Sequence, residues 1–208
     1  MLMKMKSIIL AAVLALLTAP PALAANVSKT YSYFTVGGTT LAQLEAELGS
    51  RGPKVKSTGR RHPGATRMEF STKIGYVEKN GYCRVEKATV TVKAKVILPR
   101  WRQRAKAGKD LRVIWDTLSG DIKRHEESHV VIAKNHGREL EQALLALPRQ
   151  KSCPALAVNT KALSAKILAK HDKAQERFDR VEGINFERRM MRLLNYRMER
   201  IEAGKIPD

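Results

Sequence analysis

Apolar residues on alternate positions mark the stretch from Ala88 to Leu98, where Ala88, Val90, Val92, Ala94, Val96 and Leu98 are separated by polar positions. The alternating Lys87, Thr89, Thr91, Lys93 and Lys95 give a period of two, which predicts a strand with one buried and one wet face. Pro99 ends it. Upstream, Asn80-Gly81 is a strong hairpin turn signal, and it joins this strand to another strand-like run from Thr66 to Tyr76. A first short strand is expected from Tyr31 to Val36, ending at Gly37-Gly38. Between these runs, Leu41, Leu44 and Leu48 recur at helical spacing until Gly49 through Pro53 stop them. A basic loop rich in Gly and Pro then occupies Arg51 to Gly64. These strands predict a small antiparallel sheet.

The period changes after Asp110, a plausible N-cap. Leu111, Ile114, Leu118, Ile122, His125 and His129 recur at steps of three and four, and Ala133, His136, Leu140, Leu144 and Leu147 continue the stripe. Such spacing is the inner face of a helix. Gly120 and Gly137 are expected breaks, because an unbroken helix of this length would span roughly 55 Å. Pro148 closes the run. A second helix is expected over Leu156 to Arg180, and a basic amphipathic one from Phe186 to Ala203. This last helix is expected to close the core with its arginines in water, the alternative being an arm that lies on an anionic surface. Strands first and helices after predict the α+β class.

The first residues carry Lys4 and Lys6 and no acid, followed by an apolar run from Ile8 to Leu17 and the small-x-small site Ala22-Leu23-Ala24. Those are the three regions of a secretory signal peptide, with cleavage expected after Ala24. The run is shorter than the roughly 20 residues of a membrane span. Cleavage would take 24 residues and two lysines from 208 residues at a formal charge of +19, leaving 184 residues at +17. The expected organisation is a signal peptide over residues 1–24, one domain over 25–185 and a C-terminal basic helix over 186–208. The basic balance predicts polyanionic neighbours, and in an exported protein these are anionic envelope components. Export argues against nucleic acid as the partner. The two cysteines, Cys83 and Cys153, are an even count in an oxidising compartment and are expected to pair.

The candidate chemistry lies on the long helical stripe. His125-Glu126-Glu127-Ser128-His129 is an HExxH motif, and only 5 histidines occur in the chain. Positions i and i+4 lie on one helix face, so both imidazoles can share a Zn²⁺ at roughly 2.0–2.1 Å. Glu126 follows the first of them and is placed to act as general base. The competing reading is a pair of packed core histidines. A zinc site also needs a third ligand. His136 comes one residue later than the HExxHxxGxxH spacing requires, and on a continuous helix it lies about 10 Å along the axis from His129. Later candidates are His171, Asp172, Glu176, Asp179 and Glu182.

The chain resembles a bacterial domain family described as predicted secreted zinc-dependent proteases. The resemblance rests on Tyr31-x-Tyr33-x-x-Val36, Arg51-Gly52-Pro53, Gly59, Thr66, Cys83, Leu98-Pro99-x-Trp101, Trp115, the HEESH helix and Cys153. It implies a zincin-like fold, a helix carrying a zinc site beside a small sheet, and export. The family usually closes with Tyr-Asp-x-x-Thr-x-His-Gly, where this chain has Phe178-Asp179-Arg180-Val181-Glu182-Gly183-Ile184-Asn185. Asp179 matches and becomes the first choice for third ligand. Glu182 stands for the usual Thr, and the His-Gly pair is replaced.

Two functions are therefore expected to compete. One is a periplasmic or secreted zinc metallopeptidase acting on a peptide or protein substrate, with the long strand from Cys83 to Leu98 holding the peptide along its edge. The other is an inactive zincin scaffold that binds anionic envelope components.

Overall fold

The computed structural model describes residues 26–55 and 58–207, so the segment read as a signal peptide lies outside the described residues. Along the chain run β1 (Asn26–Val36), α1 (Leu41–Arg51), β2 (Ala65–Lys79), β3 (Tyr82–Trp101), a single 3-10 turn (Arg104–Lys106), α2 (Lys109–Leu145), α3 (Cys153–Ile184) and α4 (Phe186–Glu202). The class is α+β. The Asn80-Gly81 turn forms as its sequence predicts, with both residues at positive φ, 54° and 73°, as a tight hairpin requires.

The sheet is mixed, not antiparallel as expected. Its order is β1-β3-β2, with β2 antiparallel to β3 and β1 parallel to β3. The hairpin is a local signal and fixes β2 against β3. The pairing of Tyr31 with Val96 and of Val36 with Trp101 is made across more than sixty residues and leaves no local trace. This order puts β3 in the centre, and from Thr91 to Ile97 it is paired on both sides, so that half of the strand expected to hold a peptide along its edge has no free edge. Among the described residues β1 and β2 form the outer edges, and the half of β3 before Thr91 is paired with β2 alone.

α2 is one unbroken helix of 37 residues, against the expected breaks at Gly120 and Gly137. A glycine inside a helix costs about 1 kcal/mol. That is small beside the burial of Val113, Trp115, Ile122, Val130, Ala133, Leu140 and Leu144 along the same helix. Gly108 caps the helix and Asp110 falls in its first turn, where its charge suits the helix dipole. The inner face of the sheet packs on this helix: Ala94, Val96 and Leu98 meet Ile122 and Val130. Nearer the hairpin, Cys83, Val85, Ala88 and Val90 meet Leu140 and Leu144 of α2 and Leu156 and Ile167 of α3. A third cluster joins Val36, Leu44, Leu48, Trp101 and Trp115.

Cys83 and Cys153 are bonded, with Cα atoms 5.1 Å apart. The bond fastens the start of β3 to the first turn of α3, where Ser152 caps the helix by accepting from the Ala155 amide. Closing a loop of 70 residues contributes up to about 4 kcal/mol in the chain-entropy account. Its structural effect is to hold α3 at one end, so that its later turns lie along α2.

α4 is docked. Arg189 donates to both carboxylate oxygens of Asp121, at 3.1–3.2 Å, and Arg197 donates to Asp116 at 2.9 Å. Asp121 is 5% exposed, so α4 supplies part of the compensation for a charge buried on α2.

Candidate metal centre

His125 and His129 lie one helical turn apart on α2, and their Nε2 atoms are 3.1 Å from each other. α3 runs antiparallel beside them and brings Asp179 to the same point. Asp179 Oδ1 lies 3.3 Å from His125 Nε2 and 3.0 Å from His129 Nε2. Of the sequence candidates for a third group, Asp179 is the one that meets both histidines. Three acceptor atoms thus form a triangle with edges of 3.0–3.3 Å. Three ligands at 2.0–2.1 Å on a tetrahedral zinc ion would be about 3.3–3.4 Å apart. A proton on one imidazole satisfies one edge of this triangle, whereas a divalent cation satisfies all three lone pairs.

The same contact governs the protonation of the metal-free cluster. Burial alone would raise the Asp179 carboxyl and lower the His129 imidazole. Their contact overrides both effects: Asp179 is held far below the carboxylate range and His129 is raised. Asp179 is half exposed while His129 is nearly buried, so the cluster opens to solvent on the α3 side.

One stripe of α3 serves the whole site. Gln175, Asp179 and Glu182 recur at steps of four and three, and each faces a histidine of α2. Gln175 Oε1 accepts from His129 Nδ1 at 2.6 Å, while its amide nitrogen donates to the His129 carbonyl at 3.1 Å. With its proton on Nδ1, His129 turns an unprotonated Nε2 toward Asp179 and His125. Glu182 Oε2 lies 3.6 Å from His125 Nδ1 and is held by Arg124 and Arg189. Phe178 stacks on His125 and meets His129 edge to face, with ring centroids 4.9 and 5.1 Å away. Sequence alone gives no role to Gln175 or Phe178. Helical spacing from Asp179 was the signal that could have found Gln175.

Glu126 is buried, 5% exposed, between α2 and the start of β2. Thr66 Oγ1 is 2.9 Å from both Glu126 Oε2 and the Glu126 carbonyl. Burial pushes the Glu126 carboxyl above its ordinary value, against the Thr66 hydrogen bond and the two histidines, which pull it down. Gly64 makes the close approach possible. A Cβ there would meet Glu126 Oε1 and Ile122 Cγ2 at 2.8 Å each. Gly52 has a similar role at the start of the same loop, where a Cβ would lie 2.0 Å from the His62 carbonyl.

Other candidates are placed elsewhere. His136 donates from Nδ1 to the Ile132 carbonyl on the same helix and sits edge to face with His171. His171 is buried and bonds Asp172 and Gln175. His62 contacts Thr58. Glu176 is exposed. Ile184, where the resemblance leads one to expect His, is 78% exposed, and the Asn185 side chain donates to the Val181 carbonyl.

The sequence profile of one family, described as a bacterial protein of unknown function (DUF922), matches residues 31–187. The chain belongs to this DUF922 family. The match takes in the second half of β1, all of β2 and β3, the HExxH helix and Asp179, and it ends at the first turn of α4. No curated protein matches the chain. No solved structure matches it either. No helix among the described residues is long and apolar enough to cross a membrane.

Proposed function

We propose that this DUF922 member is an exported, zincin-like, zinc-dependent peptidase. The observation that carries the reading is the triangle of His125, His129 and Asp179 beside a buried Glu126. The donor set suits zinc: two imidazole nitrogens and one carboxylate are a common catalytic combination that leaves a fourth position open. When bound, the ion would supply Lewis acidity and lower the pKa of a coordinated water.

The chain's own residues do the rest. Gln175 fixes the tautomer of His129, and Glu182 faces the far nitrogen of His125. Glu126 receives the proton of the attacking water. Its raised affinity for protons, caused by burial, suits a general base and then a general acid toward the leaving amine. Thr66 occupies Oε2, which leaves Oε1 as the proton-accepting atom. The free edge of β2, beginning at Ala65 next to Glu126, would hold an extended peptide by main-chain hydrogen bonds. The disulfide supports an oxidising compartment, in line with the exported location read from the sequence.

The test is hydrolysis of a peptide library by zinc-loaded protein and by Glu126→Gln. The variant should retain zinc and lose about 10²–10⁴-fold in kcat. Undiminished turnover would exclude Glu126 as the base. One observation favours the second reading, an inactive scaffold that binds anionic envelope components: Ile184 and Asn185 point no polar group at the site. Bound zinc without turnover of any library member would support that reading.

A further inference from the structure

Between Ala88 and Val96, the helical packing on β3 falls on one face of the sheet, the buried face of Ala88, Val90, Val92, Ala94 and Val96. The opposite face carries Lys87, Lys93 and Lys95 on β3, and the register sets Arg67 opposite Lys95 and Lys73 opposite Thr89. All five cations are exposed. None makes an ion pair among the described residues, although Glu69 stands opposite Lys93. Arg67 directly across from Lys95 is a like-charge pair, an arrangement that destabilises a sheet unless something neutralises it. Arg67, Lys93 and Lys95, with the carboxylate of Glu69 among them, also line a depression of about 280 Å³, together with the hydroxyl-bearing Ser28 and Thr30 of β1.

We infer that this sheet face binds a linear polyanion, an acidic polysaccharide whose charged groups run along β3. Three of its five cations follow one strand, β3, with Arg67 and Lys73 beside them on β2: Lys93 and Lys95 are about 7 Å apart, and Lys87 to Lys95 spans about 27 Å. That is a line of charge with a depression at its Lys93–Lys95 end, which fits a chain better than a plane. The hydroxyls of Ser28 and Thr30 suit the polar groups of a sugar. Two other anionic partners lack their usual anchors here. No exposed aromatic lies among these positions for a nucleobase to stack on, and no apolar side chain to enter a lipid interface. α4 is the weaker candidate for the same task, because Arg189 and Arg197 are already committed to Asp121 and Asp116. The inference does not depend on hydrolysis.

The experiment is calorimetric titration of the mature protein with heparin at 0.15 M NaCl. Arg67→Gln/Lys93→Gln/Lys95→Gln is compared with Lys151→Gln/Lys161→Gln/Lys166→Gln, which removes the same charge from exposed positions around and on α3. The sheet variant should lose affinity on the order of tenfold and show a shallower salt dependence, while the control changes little. Its melting temperature should stay the same or rise, since a like-charge pair has been removed. Equal weakening in the two variants would reduce the effect to net charge and overturn the inference. So would a preference for phosphatidylglycerol vesicles or single-stranded DNA over heparin, or saturation by inorganic phosphate alone.

Discussion

At the scale of single residues, the site depends on two contacts that hold its reactive groups in place. Gly64 leaves room for Glu126, and Gly64→Ala would force a methyl group to within 2.8 Å of Oε1. The account expects this variant to fold and to bind zinc, but to lose turnover nearly as Glu126→Gln does. Full activity in Gly64→Ala would mean that Oε1 is not the working atom. Gln175 has a different duty, since it touches His129 at both Nδ1 and the main chain. Gln175→Leu should weaken zinc affinity by about 10- to 100-fold, the usual range for losing a group that orients a ligand histidine. Competition with a chromophoric chelator measures it, and nitrogen chemical shifts of His129 in the metal-free protein should show its tautomer released. An unchanged tautomer would assign Gln175 to packing alone.

At the scale of elements, the pairing of α2 with α3 and of α4 with α2 converts helices into a site. Asp121 illustrates how. Burial would raise its carboxyl, but Arg189 and Arg124 overcome this and hold it below its ordinary value. Asp116 is held low by Arg104 first and Arg197 as well. Both carboxylates bind protons less readily folded than unfolded, so their contribution is complete above the unfolded pKa of 3.8. It is lost as pH falls through the lower folded values. Arg189→Gln should therefore lower stability by about 3 kcal/mol at pH 7, and the deficit should shrink in melts taken below pH 4. Deleting residues 186–208 should lower the melting temperature by about 10 °C, because the helix is docked. Unchanged melting after deletion would contradict that docking.

The helices were the most legible elements, since the stripe from Leu111 to Leu144 has one period and one buried face. Their continuity was not legible, because the cost of Gly120 and Gly137 depends on packing that the local sequence does not contain. The sheet was half legible for a similar reason. Asn80-Gly81 announces the β2–β3 hairpin, while nothing near Tyr31 says that β1 will run parallel to β3. In the site, His125, Glu126 and His129 follow from spacing alone. Asp179 is one of five later candidates and comes first among them only through the resemblance, and Gln175 needed the register between two helices.

At the scale of the whole molecule, the disulfide and the ion pairs of α4 hold one arrangement in which three distant segments meet. Gly64 comes from the loop before β2, Thr66 from β2, the histidines from α2, and Asp179 from α3. The charge is distributed to match. Arg189 and Arg197 of α4 are taken up by Asp121 and Asp116, while Lys87, Lys93 and Lys95 of β3 face solvent away from the site. The claim on which the functional reading rests is that His125, His129 and Asp179 together hold one zinc ion. Elemental analysis of the protein purified without chelators, beside His129→Ala and Asp179→Ala, tests it most directly. The account requires about one zinc per chain in the unaltered protein, none retained in His129→Ala and a sharply reduced content in Asp179→Ala. Equal zinc in all three proteins, or none in the unaltered one after loading, would contradict it.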